Sequence, residues 1–233
     1  PVMTPEKIER AKALYPIGSY YYTIKILGER GAPGELIFLD YLTDDIVQHF
    51  EYTDFDIYTV GIDIGATRAK NSVSLIGFKR DFSAAAIMDC QAFDLCGYKE
   101  KTERIKSIVD GWKEHGIYIE GVFIDSAEQN YIADMKTAFN AEHLPPVAGS
   151  YKATIKARID LLIILFSLKR LKFNDNAGGK RALQAYKIAK WAEDKKGEER
   201  EDNNEPQNDI MDSVEYAITR HMNALLKAAT ERK

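Results

Sequence analysis

The chain has 233 residues, 45% of them hydrophobic, and a formal net charge of -4, which suits one domain with a substantial core plus an appendage. The acidic total does not indicate a nucleic-acid-binding protein, although a local basic face can coexist with it. The longest apolar run, residues 161–168, is too short to span a bilayer, and Cys90 and Cys96 lack the Cys-x-x-Cys spacing of a metal or redox pair. We therefore expect a reduced cytoplasmic protein without a membrane segment.

The first 50 residues carry no chemical motif. Thr4 followed by Pro5 is typical of a helix start, and the pattern predicts a helix over 4–14. Residues 19–27 and 35–41 are rich in residues that favour strands, so both are predicted to be extended. We interpret this part as an arm or connector.

From residue 57 the apolar pattern becomes sharper. It predicts strands over 57–64, 72–78 and 84–93, joined by short links into an antiparallel meander. Helical spacing follows over 100–115. A fourth strand is predicted over 119–124 and, because both its faces are largely apolar, it should lie inside the sheet.

The C-terminal half is predicted to be mainly helical. The remaining predicted elements are a helix ending near 139, a short strand at 146–148, a helix over 154–171, an edge pairing at 171–173, a helix over 178–192 and a last helix over 209–229. Charge, Asn, Pro and Gly dominate 195–208, which is predicted to be a mobile loop. The order of elements predicts an α/β fold, a mixed sheet with an antiparallel meander plus parallel strands, flanked by helices.

Three carboxylates occupy chemically suggestive positions in this layout. Asp63 lies within a β-branched strand, where an uncompensated charge is costly to bury, and Asp125 ends the fourth strand. If these strands are neighbours, the two carboxylates approach each other. Asp212 begins the last helix, with Asp209 on the same face one turn earlier. Carboxylates held this close repel unless cations lie between them, and all-oxygen ligands favour Mg²⁺ or Mn²⁺.

Each of these residues also has an ordinary structural interpretation. Asp63 can hydrogen-bond the turn that follows its strand, and Asp125 can cap the next helix. Asp209 and Asp212 can simply favour the positive end of a helix dipole. The case for a metal site rests on their occurring together.

Three segments, 58–65, 122–128 and 208–217, resemble the nuclease domain of the large terminase subunit of tailed bacteriophages. Residues 151–159 and 26–37 support the resemblance, which therefore spans nearly the whole chain. It implies an RNase H-like fold for residues 51–233. It also implies that residues 1–50 are a connector from an ATPase domain that this chain lacks.

The resemblance implies an endonuclease that cuts concatemeric double-stranded DNA by two-metal hydrolysis, with little sequence specificity. Asp63, Asp125 and Asp212 match the family's catalytic, metal-binding triad, with two Mg²⁺ or Mn²⁺ ions expected. Asp209 stands where many relatives carry His, which makes it a possible additional metal ligand. The sequence contains no Gly-x-x-x-x-Gly-Lys-[Ser/Thr] motif, so the chain should cut DNA without translocating it.

The resemblance also implies partners and a location. The partners are double-stranded DNA, the ATPase domain of the full subunit, the portal protein and the small terminase subunit. The location is the host cytoplasm, outside the mature virion, and the isolated domain is expected to be monomeric.

Basic residues near the motifs are candidates for DNA contacts. The five residues are Arg68, Lys70, Lys152, Lys156 and Arg158. Contacts from such residues to phosphates would position a duplex without reading its sequence. The alternative for each is an ordinary solvated surface residue.

Three other kinds of protein share some of these sequence features. In an actin-like sugar kinase or ATPase, residues 63–67 would form a phosphate-binding hairpin, but we find neither a second phosphate loop nor a glycine-rich adenosine site. A resolvase or transposase relative would share the metal chemistry with different flanking residues. A non-catalytic RNase H-like docking module is the third alternative, and carboxylates at all three family positions argue against it.

Overall fold

The computed structural model describes residues 4–15, 17, 19–29, 34–65, 70–201 and 206–231, and these residues build one mixed sheet covered by helices on both faces. The strands are β1 Val47–Gln48, β2 Ile57–Asp63, β3 Asn71–Phe78, β4 Ala85–Phe93, β5 Ile119–Ile124, β6 Val147–Gly149 and β7 Leu171–Asn174. The helices are α1 Pro5–Ala13, α2 Tyr20–Tyr22, α3 Tyr98–Lys113, α4 Gln129–Ala141, α5 Ile155–Ser167, α6 Ala177–Ile188, α7 Pro206–Thr219 and α8 Met222–Thr230. No helix in this part of the chain is both long and apolar enough to cross a membrane.

The strand order is β1-β7-β4-β3-β2-β5-β6. Strands β2, β3 and β4 form the predicted antiparallel meander, and β5 pairs in parallel with β2 and β6. The predicted α/β fold with a mixed sheet is confirmed, and β5 lies inside the sheet as its apolar faces indicated. The prediction of β7 as an edge was wrong, because the two-residue strand β1 pairs with its outer side.

The strands of the meander serve two hydrophobic cores, one on each face of the sheet. Along β3, Val73 and Leu75 pack into a core with α3 and α4. Ile76 and Phe78 belong to the other core, which contains residues of α5, α6, α7 and α8. This alternation is the two-residue period of a strand buried on both faces.

Helix α7 lies unusually close to β2. A Cβ atom at Gly61 would stand 1.8 Å from the carbonyl oxygen of Ser213, so the approach requires glycine. The Ser213 hydroxyl lies 2.9 Å from that of Ser72 and 2.7 Å from that of Ser74 on β3. Thr59 of β2 also donates to the carbonyl of Ala217 at 3.0 Å. Small and hydroxylic residues on this face therefore fix the helix that carries Asp209 and Asp212.

The predicted first helix is confirmed as α1, but residues 19–27 and 35–41 are not the extended segments that were predicted. Ser19 caps α2 by accepting from the backbone N–H of Tyr22, and Thr23–Leu27 form a π-helical turn. Leu39–Tyr41 is a 3-10 helix. Tyr21, Phe38 and Tyr41 are buried in the same core as residues of α5 and α6. This tertiary packing overrides the strand propensity of the two segments. The origin of residues 1–50 in an ATPase connector stays a prediction.

Two helices end earlier than predicted, and one predicted helix is two. Helix α5 ends at Ser167 and α6 at Ile188, and the last predicted helix is divided into α7 and α8 at residues 220–221. Within the predicted loop 195–208, residues 195–201 form hydrogen-bonded turns and a bridge, 206–208 begin α7, and 202–205 lie outside the described residues. Residues 189–201, hereafter the strap, form an antiparallel β-bridge between Lys190 and Leu36. The strap then folds back on itself, so that Trp191 forms an antiparallel β-bridge with Arg200.

Candidate metal centre

The topology brings the ends of β2 and β5 to one edge of the sheet. Ile62 pairs with Ile124 in the parallel register, so Asp63 and Asp125 follow paired residues and leave the sheet side by side. Helix α7, held against β2 at Gly61, adds Asp209 and Asp212 at the same place. The structure therefore brings together the four acidic residues that the sequence singled out.

The carboxyl of Asp63 is strongly perturbed by its surroundings. Burial raises its pKa to about 9, and the charges of Asp212, Asp209 and Asp125 act in the same direction. Asp209 also hydrogen-bonds to it. Four crowded carboxyl groups without a cation are unfavourable, and a proton on Asp63 is the way that the metal-free site relieves the repulsion.

This pKa predicts how stability depends on pH in the absence of metal. The ordinary pKa of Asp63 is 3.8, so between about pH 4 and pH 9 the folded state holds a proton that the unfolded state has lost. Stability therefore falls as pH rises through this window. In EDTA, we expect the melting temperature of Asp63→Asn to exceed that of the wild type by a margin that grows from pH 5 to pH 9. A constant margin would contradict the shifted pKa.

Asp125 and Asp209 are held by hydrogen bonds. Asp125 accepts from the backbone N–H of Ala127 at 3.0 Å through Oδ1 and from the Tyr216 hydroxyl at 3.3 Å through Oδ2. Asp209, only 8% exposed, accepts from the backbone N–H of Lys70 at 2.7 Å. Asp125 therefore holds the turn before α4 and does not cap that helix as its structural alternative predicted, since the N-cap is Glu128.

Asp212 belongs to a closed ring of alternating charges. Its Oδ1 lies 2.9 Å from Nη1 of Arg158 and 2.9 Å from Nη2 of Arg200. Glu215, one turn further along α7, lies 3.0 Å from Arg158 and 2.6 Å from Arg200. Burial alone lowers the pKa of Arg200, but the carboxylates of Glu215 and Asp212 outweigh it and raise that pKa. Both arginines therefore remain charged beside the site.

The donor set fits a divalent cation, although the ligands are not gathered around one point. Among the described residues, no three acidic, His or Cys side chains are arranged to hold an ion as they stand. The ring holds Asp212 through Oδ1 alone, and Asp125 and Asp209 accept local hydrogen bonds. Crowding and an all-oxygen donor set still favour Mg²⁺ or Mn²⁺, and side-chain rotations would complete the coordination.

The basic candidates occupy different environments. Lys70 is 43% exposed beside the site and pairs with Asp94, whereas Lys156 pairs with Asp160 at 3.2 Å. Lys152 is exposed and lines a groove of about 630 Å³ along β5 and β6. Arg68 lies outside the described residues.

Arg158 does not fit the predicted phosphate contact. Its side chain is 11% exposed, and its guanidinium is engaged by Asp212 and Glu215. Both ion pairs would have to loosen before it could reach a phosphate on DNA. The structure instead makes it part of the support of Asp212.

Sequence reasoning missed three residues of the site. Glu215 and Tyr216 lie one turn beyond Asp212 on the same helix face, a spacing that could have indicated them. Arg200 gave no such signal, because it belongs to a charged segment with the composition of a solvated loop.

The sequence matches no family model and no curated protein, but the fold matches solved structures. The P22 large terminase nuclease domain has a TM-score of 0.60 at 14% identity, with 83% of this chain and 96% of that one covered. The nuclease domain of the bacteriophage SPP1 large terminase, with bound Mn, has a TM-score of 0.55 at 14% identity, covering 76% and 97%. The Mn-soaked human cytomegalovirus terminase nuclease domain has a TM-score of 0.51 at 11% identity, covering 97% and 98%. The predicted resemblance is thus confirmed in the fold: this chain has the RNase H-like fold of large terminase nuclease domains.

Proposed function

We propose that the chain is the metal-dependent endonuclease domain of a viral DNA-packaging terminase. It cuts concatemeric double-stranded DNA with little sequence specificity, and two Mg²⁺ or Mn²⁺ ions serve the reaction. The observation that carries this proposal is the gathering of Asp63, Asp125, Asp209 and Asp212 at one edge of a terminase-nuclease-like sheet. The manganese in the SPP1 and cytomegalovirus structures supports the choice of metal.

Each carboxylate has a defined support for this task. Asp63 extends a buried strand, and Asp125 begins the turn after its neighbouring strand. Asp209 and Asp212 lie on a helix that is hydrogen-bonded to the sheet through Ser213. When bound, divalent ions would activate a water and stabilise the leaving oxygen of the phosphodiester. Rigid elements suit this role because a metal centre tolerates little displacement of its ligands.

The surface beside the site suits a DNA backbone. The backbone N–H of Lys70 donates to Asp209, which places this lysine beside the site. The groove along β5 and β6 is lined by Lys152, Arg220 and the exposed ring of Tyr151. Lysine contacts to phosphates supply affinity that does not depend on sequence. As further parts of the proposal, the domain works with an ATPase domain, the portal protein and the small terminase subunit in the host cytoplasm, and is monomeric when isolated.

Plasmid cleavage tests the proposed function. Purified protein with Mn²⁺ should nick and linearise supercoiled plasmid at many positions, and EDTA should stop the reaction. Cleavage should weaken steeply as salt rises, because salt weakens phosphate contacts through counterion release. Lys152→Ala should reduce cutting of unrelated plasmids to a similar extent. Cleavage at one defined sequence that is insensitive to salt would contradict the proposal.

The same experiment addresses the non-catalytic alternative. A docking module would fold normally and leave plasmid intact with Mg²⁺ and with Mn²⁺ across a range of concentrations. Such an outcome, together with no measurable Mn²⁺ binding, would replace the proposed function by a scaffold role.

A further inference from the structure

The ring formed by Asp212, Arg158, Glu215 and Arg200 includes one of the proposed metal ligands, Asp212. We propose that Arg200 and Glu215 are positioning residues of the metal centre. Arg200 orients Asp212, and Glu215 offsets the charge of the two arginines so that a cation can still bind. This inference rests on the proposed function, because it assigns a role relative to the metal that Asp212 would hold.

Orientation follows from which atom the arginines contact. Both ion pairs to Asp212, each 2.9 Å long, use the same oxygen, Oδ1. Among the described residues no ion pair to Oδ2 is found, so Oδ2 is the oxygen that a metal ion would take. Partners behind a ligand commonly fix its orientation in this way, and their loss typically reduces affinity or activity about 10- to 100-fold.

The role of Glu215 follows from the charge count. Two guanidiniums on a single carboxylate would leave one excess positive charge beside the cation site. Glu215 is 1% exposed and contacts both arginines, so it cancels that excess. Removing it would leave two guanidiniums on Asp212 with one excess positive charge, which would compete with a metal ion.

The ring is a poor candidate for a device that only adds stability. Buried ion pairs lose hydration, and apolar residues of similar volume often replace them without loss of stability. The buried pair of Arg200 and Glu215, joined to the partly buried Arg158 and Asp212, therefore calls for another explanation. Orientation of the metal ligand Asp212 is such an explanation, and the contacts of both arginines with its Oδ1 support it.

Backbone contacts within the strap fix the position of Arg200. Trp191 forms an antiparallel β-bridge with Arg200, and the N–H of Glu201 donates to the carbonyl of Lys190 at 2.9 Å. The strap is anchored in turn to the N-terminal part of the chain, where Ile37 donates to Ala189 at 2.8 Å. Arg200 therefore approaches Asp212 from an ordered support, as a positioning residue requires.

Mn²⁺ binding and plasmid cleavage, measured separately, test the inference with Arg200→Met and Glu215→Gln. Free Mn²⁺ is followed by its EPR signal, which gives affinity without reference to catalysis. Glu215→Gln should weaken Mn²⁺ binding about 10-fold or more, because it leaves an excess positive charge. Arg200→Met should not weaken Mn²⁺ binding, since it removes a positive charge, but cleavage at saturating Mn²⁺ should fall about 10- to 100-fold.

Conservative and control variants separate positioning from folding. Arg200→Lys keeps the charge without the fork that reaches two carboxylates, so we expect wild-type Mn²⁺ affinity with cleavage reduced about 10-fold. If circular dichroism shows that Arg200→Met or Glu215→Gln does not fold, Arg200→Lys is the variant that tests the inference. Lys195→Met, on the exposed side of the strap where Lys195 pairs with Glu199, should behave as the wild type.

The possible failures are distinguishable. If wild-type protein binds Mn²⁺ but cuts no DNA, the proposed function fails, while the loss of Mn²⁺ affinity in Glu215→Gln and its retention in Arg200→Met can still be measured. If wild-type protein cuts DNA and the ring variants match it, only the positioning role is overturned. Equal loss of Mn²⁺ affinity in Arg200→Met and Glu215→Gln, accompanied by equal loss of melting temperature, would also overturn it in favour of a purely structural ring.

Discussion

Asp63→Asn is expected to reduce Mn²⁺-dependent plasmid cleavage by at least about a thousandfold. A bound cation supplies several kcal/mol of transition-state stabilisation, and each 1.36 kcal/mol corresponds to about tenfold in rate. Asn keeps the shape of Asp but removes the anionic oxygen that a cation needs. Because Asp63 interacts electrostatically with Asp125, Asp209 and Asp212, we expect this substitution to affect the whole centre. Cleavage at saturating Mn²⁺ is the measurement.

The fold should survive this substitution. The pKa of Asp63 is raised to about 9 by burial and by its acidic neighbours, so the metal-free protein already holds an uncharged group there at neutral pH. Melting temperature in EDTA should therefore not fall. Asp175→Asn is the matched control, since Asp175 is an exposed partner of Lys180 away from the site, and it should cut normally. Full activity in a well-folded Asp63→Asn protein would rule out the proposed metal site.

Gly61→Ala should cause the largest loss of stability among the substitutions considered. The new Cβ would stand 1.8 Å from the carbonyl oxygen of Ser213 and 2.8 Å from the backbone nitrogen of Ala217. Both are backbone atoms, so no side-chain rotation can relieve the clash and α7 must move away from β2. Overpacking typically costs about 1–3 kcal/mol and sometimes more, and we expect about 3 kcal/mol or more here. Urea unfolding measures it.

A matched glycine supplies the control for that measurement. Gly111 lies within α3, and a Cβ there would meet nothing within 4 Å. Gly111→Ala should stabilise the protein by up to about 1 kcal/mol, because alanine favours a helix more than glycine does. If Gly61→Ala is as well tolerated as Gly111→Ala, the close approach of α7 to β2 is not rigid.

Strand β2, which ends with Asp63, and strand β5, which Asp125 follows, were predictable because their signal is local. Apolar β-branched residues over 57–64 and 119–124 define both strands, and the order of elements makes them neighbours. The fourth carboxylate position, on α7, followed from its spacing to Asp212. Features encoded by local sequence patterns could therefore be predicted, including the edge of the sheet where the carboxylates meet.

The parts that sequence missed depend on contacts between distant segments. Strand β1 has two residues and exists because β7 offers it an edge. Arg200 is buried only because Glu215 and Asp212 of α7 neutralise it, and without them its segment has the composition of a loop. Residues 19–27 favour strands by composition, but the Ser19 cap and the burial of Tyr21 select helical turns. These are tertiary effects that overrule local propensity.

The docking of α7 on β2 also sets the order in which the centre can be assembled during synthesis. Thr59 and Ala217, whose hydrogen bond joins the two elements, are 158 residues apart in the chain. A nascent chain contains Asp63 and Asp125 long before it contains Asp209 and Asp212, and contacts of such high sequence separation form late in folding. An incomplete chain therefore lacks half of the acidic cluster. The proposed metal centre would then be complete only after translation has passed α7 and α7 has docked on the sheet.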